Sequence, residues 1–263
     1  MKIAILGGGN LGSAIALGLL KSNTKASDIT ITRRNLSKID DLKKEGFQLT
    51  SNNVEAVKNA SLVILCVQPK QVANLLTEIR ASLHDGQIIV STITGVSTEE
   101  IASHIEKKIP IIRAMPNTAI AIGKSMTCIC AKDADEKHLE EVKKIFNTLG
   151  ETLVVEERLM KAATVLAASG IAFAMRYIRA ATQGGIQMGF DAEEAQLITA
   201  QTALGAASLL LTRESHPEIE IDKVTTPEGC TIAGLNEMEH QGMSSALIKG
   251  IVTSFDRINN IKK

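Results

Sequence analysis

The chain has 263 residues, 44% hydrophobic and 22% charged, with Lys plus Arg and Asp plus Glu equal at 29 each. That length buries a substantial core in one or two domains, and zero net charge supplies no field to recruit nucleic acid or an anionic membrane. With no Trp and one Tyr, the chain also lacks the aromatic platforms on which bases or sugars stack.

Apolar runs such as residues 162–175 read as too short and too rich in Ala, Ser and Gly to span a bilayer. The N-terminus enters an apolar run at once, leaving no room for a leader, so a cytosolic protein with no membrane span is expected. Cysteines 66, 128, 130 and 230 lack paired spacing, and His138 is the only candidate ligand near the middle two. Reduced thiols and no metal site are expected.

The first element is an apolar strand at Ile3–Leu6, broken by glycines and followed by Leu11, Ile15 and Leu19 at helical spacing. In that context Gly7-x-Gly9-x-x-Gly12 reads as a dinucleotide-binding loop. Gly7 allows the tight turn, Gly9 lets the backbone approach a pyrophosphate, and Gly12 lets helix and strand pack closely. Unpaired N–H groups around Asn10 and Leu11, at the positive end of the helix dipole, then face the phosphates.

Residues 28–32 alternate as a second strand that ends in Arg33-Arg34-Asn35. An acidic residue at this place bonds the ribose of NAD, whereas a guanidinium binds a 2′-phosphate, so NADPH is expected over NADH, with NADH possible. Residues 61–69 form an apolar strand closed by Val67, Gln68 and Pro69. A helix over 72–83, a strand over 87–90, a helix from Ser97 and a strand over 110–117 follow. Strands over 125–130 and 152–155 flank a helix over 135–148. This α/β alternation predicts a doubly wound Rossmann-type sheet over residues 1–155. Its ligand crevice lies beyond the strand C-termini, by Gly7, Arg33, Val67, Thr94 and Met115.

From residue 156 to 263 only helical patterns remain, over 156–188, 192–213, 231–241 and 244–261. The segment 195–211 is apolar or small on nearly every face, and a helix apolar all round is buried all round. About a hundred residues cannot enclose it, so a subunit interface is expected. Between the second and third of these helices, Pro227-Glu-Gly-Cys-Thr231 leads into a helix start. Thr231 there reads equally as an N-cap or as a hydroxyl beside exposed N–H groups that hold a small carboxylate.

The chain resembles the pyrroline-5-carboxylate reductase family over nearly its whole length. The resemblance rests on Gly7-Gly-Gly-Asn-Leu-Gly12, Val67-Gln-Pro69, Arg113-Ala-Met-Pro-Asn-Thr118 and above all residues 224–242. It implies hydride transfer from NADPH or NADH to a cyclic imine acid, and dimers through intertwined helical domains, often assembled into decamers. It implies that Thr231 bonds the imine nitrogen, that N–H groups of Gly229, Cys230 and Thr231 hold the carboxylate, and that Thr226 supports the turn. Met115 and Asn117 would border the nicotinamide. Departures from the family pattern are Glu228 for a glycine, Ile171 for a proline, Phe173 for a tyrosine and Ala119 for a proline. A reductase of another cyclic imine acid and a non-catalytic NADP-binding regulator are the alternatives. A β-hydroxyacid dehydrogenase would need a lysine on the helix after Ser169, where Arg176 and Arg179 stand instead.

Overall fold

In the computed structural model, which describes residues 1–131 and 136–259, contacts divide the chain into two compact units. The first comprises Met1–Ser169 with the segment from Phe255 onward, and the second is Gly170–Ser254. The change from strands to helices at residue 155 therefore falls inside the first unit, which keeps the opening turns of the long helix that follows.

The first unit runs β1 (Ile3–Leu6), α1 (Asn10–Lys21), β2 (Ile29–Thr32), α2 (Asp40–Lys44), β3 (Gln48–Thr50), α3 (Asn53–Lys58) and β4 (Leu62–Leu65). It continues with α4 (Val72–Ile79), β5 (Ile88–Ser91), α5 (Thr98–Ile105), β6 (Ile111–Met115), β7 (Ser125–Ala131), α6 (Glu136–Asn147), β8 (Gly150–Val154) and α7 (Met160–Ala163). The strands form one sheet in the order β3-β2-β1-β4-β5-β6-β7-β8. Every pairing is parallel except β6 with β7. The link between those two holds only the 3-10 turn Thr118–Ile122, too short for the crossover a parallel pair needs. Asp135 and Ile261, at the ends of two expected helices, lie outside the described residues.

Strand alternation explains the two cores. Ile3, Ile5, Ile29, Ile31, Leu62 and Ile64 face one side with Ile15 and Leu19 of α1 and Phe146 of α6. Ala4, Leu6, Val63 and Leu65 face the other, with Leu76 of α4 and Ile101 of α5. A central parallel strand is apolar on both faces because helices cover both.

The second unit contains α8 (Gly170–Gln187), α9 (Ala192–Arg213), α10 (Pro217–Asp222), α11 (Cys230–His240) and the part of α12 (Met243–Asn259) up to Ser254. Helix α9 is capped by Asp191, whose carboxylate accepts the Glu194 N–H at 2.9 Å. In α8 and α9 only Gly185 and Ala195 are buried, and a Cβ on Gly185 would stand 3.0 Å from that of Ala195. Met175, Tyr177, Leu197, Leu204, Leu211 and Ile248 are exposed in the single chain. The expectation that no apolar segment is long enough to span a bilayer is corrected. Glu157–Gln187 and Ala192–Arg213 are helices of sufficient length and hydropathy. The Ala, Ser and Gly residues that looked like interruptions continue the first of these helices through a wide π turn at Thr164–Ser169.

Candidate active site

The C-terminal ends of β1, β2 and β4 open into a cleft of about 890 Å³. Gly7, Gly8, Gly9, Arg33, Arg34, Val67 and Gln68 line it. Gly7 has φ +115°, and a Cβ there would overlap the Cys66 carbonyl. A Cβ on Gly12 would overlap the Gly7 carbonyl, so this glycine sets the strand–helix approach. The N–H groups of Gly7 and Gly8 both donate to the Thr32 carbonyl, at 3.2 and 2.7 Å, and that of Gly9 to the Gly7 carbonyl at 2.8 Å. Helix α1 starts at the N-cap Gly9 with no side-chain cap and no acid in its first turn. Its first N–H groups, on Asn10, Leu11 and Gly12, have no carbonyl behind them within the helix and are available to an anion.

The two arginines differ. Arg33 donates from Nη1 to the Gly8 carbonyl at 2.5 Å, bracing the glycine loop. Arg34 and Lys38 are exposed cations on the cleft wall. Pro69 opens the 3-10 turn Pro69–Gln71, where the Gln68 N–H donates to the Gln71 side chain at 3.1 Å. Sequence patterns did not reveal Asn53 and Glu78 in the cleft. The Thr32 hydroxyl donates to Asn53 Oδ1 at 2.6 Å, and Asn53 Nδ2 donates to Glu78 Oε2 at 3.1 Å. Asn53 starts α3, and the preceding strand β3 is one exposed and two half-buried residues with no readable alternation. Cys66 also lines the cleft, and burial pushes its thiol up to about 12, so it is no nucleophile.

Met115 and Asn117 are not among the residues lining this cleft. Met115 is buried with Cys128, Cys130 and Met160. Asn117 is committed at both ends of its amide. Its Oδ1 accepts the Ala119 N–H at 3.0 Å, and its Nδ2 donates to the Ala167 carbonyl at 3.2 Å. One residue pair earlier on β6, the buried Arg113 donates to Glu157 Oε1 at 3.2 Å, and Glu157 accepts the Thr98 N–H and hydroxyl, each at 2.8 Å.

In the second unit, the N-cap of α11 is Gly229, not Thr231. Thr231 is the second helical residue, half-buried, and among the described residues no bond of its hydroxyl is found. Of the two readings of Thr231, the structure does not bear out the N-cap: the chain enters the helix two residues earlier, at Gly229. A Cβ on Gly229 would stand 2.5 Å from Thr226 Oγ1. The Gly229 N–H donates to the Thr226 carbonyl at 2.9 Å, closing the turn. That N–H is therefore engaged, which leaves those of Cys230 and Thr231 to face a carboxylate. Glu228 sits at φ +57°, in the left-handed region, with its side chain exposed. The family glycine at this position follows from that φ.

The sequence profile for pyrroline-5-carboxylate reductase dimerisation matches residues 157–261, and one for NADP oxidoreductase, coenzyme F420-dependent, matches residues 2–95. Pyrroline-5-carboxylate reductase 1 of Dictyostelium discoideum is 53% identical over 97% of this chain, which spans only 49% of that relative. Pyrroline-5-carboxylate reductase 2 of the same organism is 48% identical over 97% of this chain and 91% of its own length. The crystal structure of Plasmodium falciparum pyrroline carboxylate reductase with NADP bound has the same fold. It superimposes with a TM-score of 0.91 at 20% identity, over 100% of this chain and 98% of that one. By these likenesses the chain belongs to the pyrroline-5-carboxylate reductase family, NAD(P)H-dependent oxidoreductases of proline biosynthesis.

Proposed function

We propose that this chain reduces 1-pyrroline-5-carboxylate to L-proline with NADPH in the cytosol, as a homodimer or a larger multiple such as a decamer. The observation that carries the reading is a shared construction in the two units. Helices α1 and α11 both begin at a glycine N-cap, with no side-chain cap and no acid in the first turn. Each leaves N–H groups at the positive end of a helix dipole, one set suited to a pyrophosphate and the other to a small carboxylate.

A cyclic imine accepts hydride readily once its nitrogen is protonated or hydrogen-bonded, so the protein's task is alignment more than acid–base chemistry. The bound cofactor supplies the hydride. Gly7, Gly9 and the first N–H groups of α1 hold the pyrophosphate, with Val67 and Gln68 lining the same cleft and Pro69 shaping the turn that follows them. Arg34 and Lys38 answer the 2′-phosphate, which favours NADPH over NADH. The N–H groups of Cys230 and Thr231 hold the substrate carboxylate, and the Thr231 hydroxyl bonds the ring nitrogen as hydride arrives. The exposed apolar residues of α8 and α9 support assembly with a second copy. Purified protein should oxidise NADPH in the presence of pyrroline-5-carboxylate and leave a six-membered cyclic imine acid a poorer substrate. Cofactor binding without turnover on either imine would point to the regulator instead.

A further inference from the structure

The helix beginning at Glu157 widens from α to π register over Thr164–Ser169 and returns to α at Gly170, where the second unit begins. A π turn inside an α-helix is rare and needs a cause. Two side chains grip this one. The Thr164 hydroxyl donates to the Met160 carbonyl at 2.7 Å, and Asn117 Nδ2 reaches in from the end of β6 to the Ala167 carbonyl at 3.2 Å. Asn117 is itself fixed, through Oδ1 to the Ala119 N–H at 3.0 Å and through its own N–H to the Ser125 hydroxyl at 3.1 Å. The carbonyl that Asn117 holds is the one an α register would offer to the N–H of Ile171. Reverting to that register would turn every later residue of the helix by one position, about 100° around its axis.

We propose that Asn117 is a positioning residue of the reductase: by holding the Ala167 carbonyl it fixes the π register of Thr164–Ser169, and with it the phase of α8. The inference rests on the proposed reaction for its kinetic consequence only. Proline at position 171 offers no N–H and crowds the carbonyl four residues earlier, so it excludes the α register without help from Asn117. Asn117 and a proline at 171 are therefore alternative ways to hold one turn.

The test compares the full-length protein with N117A, N117D, I171P and N117A/I171P. N117D keeps the acceptor for Ala119 and removes only the donor to Ala167, so it stands in should N117A fail to fold. Amide hydrogen exchange over residues 160–175 should change in N117A and N117D and return to the wild-type pattern in the double variant. The kcat on pyrroline-5-carboxylate should fall roughly tenfold in N117A and recover to within about threefold in N117A/I171P. Unaltered exchange in N117A and N117D would overturn the proposal, as would a double variant no better than N117A. Exchange needs no substrate, so a wild-type chain inactive on pyrroline-5-carboxylate would contradict the proposed reaction while the exchange data still decide the role of Asn117.

Discussion

At the scale of single residues, adjacent side chains of one type carry different tasks. Arg33 braces the Gly8 carbonyl, whereas Arg34 is exposed on the cleft wall beside Lys38. Arg34→Ala should raise the Michaelis constant for NADPH and spare NADH, with a loss of about 1.5–3 kcal/mol for a charge-assisted phosphate bond. Arg33→Ala should weaken both cofactors alike, because it loosens the loop that both share. Steady-state kinetics with each cofactor check the split. Thr231 makes a second case, since its hydroxyl is not the cap of α11. Thr231→Ala should lower kcat with little change in melting temperature, and Thr231→Ser should keep most of the activity. Gly7 and Gly12 of the first loop were legible because each answers a steric demand, seen in the overlaps that a Cβ there would make, whereas a Cβ on Gly9 would meet open space. Asn53 and Glu78 were not, since they reach the cleft from short elements that carry no periodic signal.

At the scale of elements, Glu157 ties the start of α5 to β6 at the point where the strands give way to helices. Burial pushes its carboxyl up, but the Thr98 N–H and hydroxyl and the Arg113 guanidinium outweigh that and hold it below its ordinary value of 4.5. A carboxyl depressed in the folded state contributes stability above its ordinary value, and loses it as pH falls through the lowered one. Glu157→Gln should therefore flatten the acid side of a plot of melting temperature against pH. At pH 7 it should cost about 2 kcal/mol, because Arg113 is left buried without its counter-charge while a quarter-exposed site keeps some solvent screening. The strands of the sheet other than β3 were readable from their apolar runs, two of them closed by prolines; the short β3 was missed because it carries no apolar run or alternation. The antiparallel turn into β7 was not, because it depends on the length of the connection and not on the pattern of either strand. The ion pair was hidden for a related reason: Arg113 and Glu157 lie 44 positions apart in the chain.

At the scale of the molecule, many apolar residues of α8 and α9, among them Met175, Tyr177, Leu197, Leu204 and Leu211, are exposed in the single chain. Light scattering should report a dimer or a multiple of it at micromolar concentration. Ala206→Arg, which plants a charge on the exposed small-residue face of α9, should yield monomer or insoluble protein, since an unpaired buried charge is costly. The need for a partner was visible in the sequence, as a helix apolar on every side, and so was the extent of that helix, expected over 192–213 and found at Ala192–Arg213; the π turn within the preceding helix was not. The proposed function comes down to one event, the delivery of hydride to an imine carbon. The direct test is to incubate the protein with pyrroline-5-carboxylate and NADPH deuterated at the transferring position of nicotinamide C4, and to locate the label by NMR. The account predicts L-proline carrying one deuterium on the δ carbon, the former imine carbon. Proline without label there, or NADPH consumed with no proline formed, would contradict it.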